Sequence, residues 1–479
     1  MRVIMLAFIL LALILSSLVT EANKTSSLAL AQGTTQEKLS EIKRADEEVR
    51  EKLQKSETIT KKVKKIIFEY GGWLSSYFWR YEDRDNRKDN TLTRNIYYQT
   101  MRLWTKATLF EKHLIYLRIK NSYISVRDTA AQYHGIRDDY DGPHVELAYI
   151  NASLSKPINL ILGRQNFYLG KGIVYNRIHD GVQIVASYPS VNLKAFSAKT
   201  KPHEHHLDFS LPSYDKRGWQ FFNGFELALA KNKNFIPYIY FLSEKDHPKE
   251  EPEDTTQDYN YDARYHGIGI KGTSPQNFLW SFEVIKELGK SFTDSYSTDP
   301  QKKNIDAWAS VISAKYSFQC NTHPAVDFEY AWGQGDKDRQ STTNTAAGGN
   351  INGDDHNFQY FGYYFNGYRL DTRLSNIHIY KLGFSFAPLE KLKLGKNTLI
   401  GTKFFVFRKD KKQAAIYEDT PASESNRDIG KEADFYLYWL INPQLTLAIR
   451  YGVFLPGEAY PEDVNASSQY FNTYLTYQF

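Results

Sequence analysis

The chain has 479 residues, a formal charge of +5, one cysteine and 42% hydrophobic residues, with 35 Tyr, 29 Phe and 8 Trp against 3 Met. One cysteine and nearly balanced charge exclude a disulfide framework, a thiolate zinc site and a polybasic nucleic-acid binder. A mean hydropathy of −0.53, with no apolar run of ~18 residues beyond the amino terminus, excludes a helical membrane bundle as well.

Arg2 precedes an apolar stretch from Val3 to Val19, and Ala29-Leu30-Ala31 follows in a small-x-small arrangement. This predicts a secretory signal over residues 1–31, cleaved after Ala31 or, as second choice, after Ala22. Cys320 lies far from the apolar core, so a lipoprotein anchor is excluded. Residues 34–65 lack Gly, Pro and aromatic residues and place Leu39, Ile42, Val49, Leu53 and Val63 on a 3-4 spacing. The pattern predicts a charged helical leader over 32–66. It is either solvated or a short coiled coil that meets a periplasmic partner or a second copy.

From Ile67 to Phe479 the apolar period becomes two. Ile115, Leu117 and Ile119 alternate with Tyr116, Arg118 and Lys120, and Leu445, Leu447 and Ile449 with Thr446, Ala448 and Arg450. Roughly eighteen such segments alternate short turns such as Asn442-Pro443-Gln444 with long polar stretches such as 333–357, as membrane barrels do. The expected fold is all-β, a transmembrane antiparallel β-barrel of about 18 strands over 67–479. A soluble propeller or sandwich is the competing arrangement. Phe471, Leu475, Tyr477 and Phe479 share one face of the last strand, and the chain stops on the aromatic. That ending resembles the carboxyl-terminal signature that the barrel assembly machinery reads, and it predicts insertion among outer-membrane lipids.

Several stretches are similar to one family, the alginate-export porins of bacterial outer membranes. They are Gly163-Arg164-Gln165 with Gly170, Asp180-Gly181-Val182, and Glu329-Tyr330-Ala331 leading to Gly335-Asp336. They continue with Gly430-x-Glu432-x-Asp434 and Phe454-x-Pro456-Gly457, while Gln334 stands where the pattern has Ser. The resemblance implies passive export of an acidic polysaccharide such as alginate through a basic lumen, with no covalent chemistry and no cofactor. Fixed cations in a confined lumen concentrate a polyuronate, and the guanidinium fork suits its carboxylates.

Strand phase places Arg102, Arg118, Lys120, Lys194, Lys271, Lys381 and Arg450 inward; Arg164 joins them as a motif residue, but its parity follows Leu160 and Leu162, which leaves its direction open between lumen and rim. The same phase turns Glu146, Glu226, Glu283, Asp327, Glu329, Glu432 and Asp434 inward, so the charge lists alone leave selectivity open. Asp327 and Glu329 have the spacing of a carboxylate pair for glycoside hydrolysis, but a polar lumen wall explains them without chemistry. His203, His205 and His206 form a candidate transition-metal cluster, and Asp354 with Asp355 a candidate calcium site; solvated loops are the preferred reading of both. The alternatives to export are a general porin for small solutes and a surface adhesin or scaffold barrel.

Overall fold

Alternating residues of opposite polarity satisfy two environments at once, and among the described residues they build nineteen strands. These are β1 (Ile59–Val63), β2 (Ile66–Glu82), β3 (Arg94–Leu109), β4 (His113–Asp128), β5 (Ile136–Ser153), β6 (Ile158–Tyr168), β7 (Asn176–Ser187), β8 (Val191–Lys199), β9 (Trp219–Leu229) and β10 (Ile236–His247). They continue as β11 (Asp262–Ser274), β12 (Phe278–Phe292), β13 (Lys302–Ser317), β14 (Ala325–Gly333), β15 (Ile377–Phe386), β16 (Thr398–Lys409), β17 (Asp428–Asn442), β18 (Leu445–Pro456) and β19 (Ser468–Gln478). The computed structural model describes residues 59–63, 66–83, 86–87, 92–128, 136–200, 219–230, 232, 234–247, 261–274, 277–292, 302–339, 349–388, 397–416 and 422–479.

Strands β2 to β19 each pair antiparallel with their chain neighbours. Pairing of β19 with β2, from Gln469↔Glu82 to Gln478↔Trp73, closes them into an 18-strand barrel. Phe479 completes the seam, its N–H donating to Gly72 O (3.0 Å) and its carbonyl accepting from Gly72 N (2.9 Å). Closure removes the sheet edges that would otherwise expose unpaired backbone groups.

The predicted leader helix is corrected at its end. Ile59–Val63 is a strand, folded back on β2 from Ile59↔Tyr70 to Val63↔Ile66, on the edge that β19 leaves free below Gly72. The β-branched residues Ile59, Thr60, Val63 and Ile66 favour extended backbone over the helix that the 3-4 spacing suggested. The signal peptide and the rest of the leader lie outside the described residues.

Burial alternates along the strands as the phase predicts. In β19, Tyr470, Asn472, Tyr474 and Thr476 point inward, while Phe471, Leu475 and Tyr477 lie on the outward face with Phe479. Outward apolar residues such as Ile268 (61% exposed) and Leu382 (52%) form the surface that a bilayer would cover. Connections are short at the end holding Phe479 and long at the other.

Two of the long connections fold into the interior. Residues 169–175 bury Leu169, Ile173, Val174 and Tyr175, and residues 349–376 bury Phe358, Tyr360, Phe361, Tyr364 and Leu374. They meet inside the barrel, where Phe361 N donates to Val174 O (2.9 Å) and Tyr363 N to Gly172 O (3.0 Å).

Candidate functional site

The two inward loops constrict the lumen, and inward carboxylates hold their backbones. Gly170 N donates to Glu226 (2.8 Å) and Lys171 N to Glu283 (2.9 Å). Gln359 N donates to Glu287 (2.8 Å), Arg369 N and Leu370 N to Glu432 (2.7 and 2.9 Å), and Tyr368 N to Asp434 (3.1 Å). Hydroxyls complete the shells: Tyr238 (2.6 Å) and Tyr240 (3.0 Å) donate to Glu283, and Tyr265 (3.0 Å) to Glu287. Each of these bonds satisfies a loop amide that would otherwise be buried without a partner. Gly367 belongs to the same latch. Its φ is +98°, and an added Cβ would lie 2.5 Å from Glu432 Oε1.

Beneath this constriction, toward the short-turn end, lies a vestibule of about 510 Å³. Four lysines line it, Lys271, Lys315, Lys381 and Lys403, against two carboxylates, Asp327 and Glu329. Cross-strand register arranges them in two rows. One runs Lys271, Ser281, Ser313, Glu329, Lys381; the next runs Lys315, Asp327, Gly383, Lys403. Glu329 accepts from Lys381 Nζ (2.9 Å) and Tyr364 OH (2.6 Å) and lies 3.7 Å from Lys171 Nζ. Lys171 Nζ also donates to Ser281 (3.0 Å) and Ser313 (3.3 Å). Gly383 leaves the space that Asp327 occupies, since a Cβ there would sit 2.4 Å from its Oδ1. The vestibule thus carries a cationic surplus open to the lumen.

A third cluster, on β3 to β5, is enclosed. Arg102 (2.8 Å) and Arg118 (2.6 Å) share the Glu146 carboxylate, and both guanidiniums lie over the Trp73 ring. Register steps from Arg118↔Leu147 to Ile119↔Val145, which makes Glu146 the extra residue of a bulge and aims it at both arginines. Lys120 lies over Tyr98, and Arg450 sits among Tyr368, Tyr438 and Tyr474. All four cations point inward and are buried. Lys194 is also inward, 3.3 Å from Glu226 and over Tyr168.

Arg164 departs from the inward expectation. It shares the outward face with Leu162, opposite the buried Gln165 and Phe167, and forks onto Asp180 (2.7 and 2.9 Å). Two family motifs meet there, with Gly163↔Gly181 and Arg164↔Asp180 in register. An ion pair on the barrel exterior is tolerated near a strand end because it is neutral as a unit.

The candidate calcium ligands are committed elsewhere. Asp355 accepts from Arg339 (2.6 Å), Ser291 (3.0 Å) and Asn357 N (3.0 Å), while Asp354 accepts from Asn304 (3.3 Å). His203, His205 and His206 lie outside the described residues. Asp327 and Glu329 lie amid vestibule lysines rather than as an isolated acid pair.

The sequence reading missed Lys171, Lys315, Lys403 and Glu287. Phase would have found Lys315, Lys403 and Glu287, which share faces with Ser313, Phe405 and Glu283; Lys171 gave no signal because its loop reads as solvent-exposed. Gln334 also has a role: its side-chain oxygen accepts from Trp308 N (3.0 Å) and its carbonyl from Phe358 N (3.0 Å), tying the loop root to β13.

Residues 75–473 match the alginate export family. The chain belongs to that family. No curated protein matches it. Among solved structures it resembles Pseudomonas aeruginosa OccK5 (OpdH), at 10% identity and a TM-score of 0.54, over 86% of this chain and 98% of that one. Pseudomonas aeruginosa OpdQ gives 10% identity and a TM-score of 0.51, and Acinetobacter baumannii OccAB4 gives 11% and 0.51, each over 86% of this chain and 98% of the other. At these identities the likeness concerns the fold. This alginate export family member is a β-barrel channel of the bacterial outer membrane. Its short turns accordingly face the periplasm and its long loops the exterior.

Proposed function

We propose that the channel exports an anionic polysaccharide, such as a polyuronate, passively from periplasm to exterior. The observation that carries this reading is the vestibule, where Lys271, Lys315, Lys381 and Lys403 outnumber Asp327 and Glu329 on the periplasmic side of the constriction. A polyanion arriving from the periplasm meets this surplus first. Confinement focuses the field of the lysines, and several weak sites in sequence let the chain move on. Direction then comes from synthesis on one side and dilution on the other, with no bond made or broken in the protein.

A general porin for small solutes is the second reading. The crossing of the lumen by residues 349–376, latched at Glu432 and Asp434, favours it because it narrows the path. Conductance across planar bilayers, measured with and without polyuronate on the periplasmic side, separates the two. Export requires concentration-dependent block by polyuronate at micromolar levels and anion preference at low salt. Indifference to polyuronate, with passage of small neutral solutes, rejects it. Partners follow from the same reading: lipids and the barrel assembly machinery at insertion, an acidic polysaccharide in the lumen, and a periplasmic protein or a second copy at the leader.

A further inference from the structure

Several ionised groups on the outward side of the barrel are paired, such as Arg80 with Glu82, Arg127 with Asp138 (3.0 Å), and Arg164 with Asp180 (2.7 Å). The exterior ends of β10 to β13 gather several cations side by side. Lys245, Arg264 and Lys290 are exposed on the outward face there, and Lys286 lies over the Trp308 ring at 4.3 Å. Register makes the cluster continuous: His266, Lys286 and Trp308 form one outward row, Arg264, Leu288 and Asp306 the next, and Asp262 with Lys290 the last. Asp306, paired with Lys286, and Asp262 are the carboxylates of these rows, and Asp354 accepts from Asn304 (3.3 Å), the cross-strand neighbour of Lys290, so the four permanent cations leave a surplus of one positive charge. Directly below runs an apolar row, Ile239, Ile268 and Val284, so the cations stand where the hydrocarbon face ends.

We propose that this patch binds the phosphorylated headgroup of an outer-leaflet glycolipid, a function beyond the channel itself. Phosphate oxygens supply the anionic acceptors that the surplus calls for, and the arginine fork and lysine ammonium match them. Trp308, half in contact with lipid and half with Lys286, is the side chain suited to that depth. The β10–β11 connection also carries Glu250, Glu251, Glu253, Asp254 and Asp258, which lie outside the described residues.

The test uses the full chain in detergent, with bisphosphorylated lipid A and its dephosphorylated form as probes, read by native mass spectrometry. The phosphorylated form binds at least tenfold more tightly to the wild type. Lys245→Gln/Arg264→Gln/Lys290→Gln erases that preference while heat-modifiability and single-channel conductance stay unchanged. Equal binding of both lipids by the wild type, or an undiminished preference in the variant, overturns the assignment. Should the triple variant fail to fold, Lys245→Gln/Lys290→Gln, at exposed strand ends, is expected to lose at least threefold, and no loss there is equally decisive against it. A phosphate preference that emerges only after Glu250, Glu251 and Glu253 are changed to Gln assigns the cations to the loop and removes the lipid.

Discussion

Glu432 and Asp327 are both inward carboxylates on lumenal strands, yet they do different work. Glu432, 3% exposed, is covered by the backbone of residues 367–370 and spends its oxygens on the amides of Arg369 and Leu370. Asp327 faces an open vestibule beside Lys315 and Lys403. The cations divide in the same way: Arg102 and Arg118 are enclosed around Glu146, whereas Lys271 and Lys403 look into the cavity. Charge that a loop or a neighbouring pair encloses shapes the barrel; charge left facing water acts on the solute.

The largest effect on stability is expected in the enclosed class. Glu146→Ala leaves two buried guanidiniums without their shared carboxylate, a loss of about 3–5 kcal/mol. It should lower the temperature of heat-modification more than Arg118→Ser, which leaves the Arg102–Glu146 pair in place. Equal effects would mean that the cluster is not organised around Glu146.

Glu432→Ala removes the acceptor for two loop amides, about 2 kcal/mol for two hydrogen bonds, concentrated in the latch. Single-channel conductance should rise severalfold as the crossing loop loosens, whereas Glu432→Gln, which keeps an acceptor, should change it less. Unaltered conductance in Glu432→Ala would place the constriction elsewhere.

The open class should behave in the opposite sense. Lys271→Gln/Lys315→Gln/Lys403→Gln is expected to shift stability by less than about 0.5 kcal/mol, as exposed substitutions do. Anion preference and polyuronate block should fall severalfold, most clearly at ~10 mM salt, where the screening length is about 30 Å. Retained block at low salt would remove these lysines from the path and advance the general-porin reading.

The barrel was legible because period-two alternation is local. All eighteen segments expected from the sequence fall on strands β2 to β19, and the inward phases of Arg102, Arg118, Lys120, Lys194, Lys271, Lys381 and Arg450 agree with their placement. Arg164 was legible too, in its shared phase with Leu162. The constriction was not, because residues 334–357 have the polar composition of a solvated loop. The clue was the aromatic run that follows, Phe358, Tyr360, Phe361, Tyr364, Phe365 and Tyr368, too apolar for an exterior loop. Nor could phase reveal that Glu146 serves two arginines, since a bulge re-aims it.

The smallest effect concerns the root of the long loop. Asp410, just beyond β16, accepts from Gly335 N (3.0 Å) and lies 3.4 Å from His378 Nε2 and 3.1 Å from Lys411 Nζ. Burial pushes its carboxyl upward, but His378, the Gly335 amide and Lys411 outweigh that and hold it well below the usual carboxylate range. A carboxyl depressed in the folded state contributes stability above its unfolded value, about 4, and the contribution fades as pH falls toward its folded value. Wild type should therefore exceed Asp410→Asn in heat-modification temperature above pH ~5, and the gap should narrow progressively below ~4. Because His378 and Lys411 remain in the variant, a margin that persists undiminished in strong acid would mean that Asp410 acts by shape and hydrogen bonding rather than by charge. The loop root would then belong with neutral scaffolding, and the division between enclosed and open charge would stop at the barrel wall.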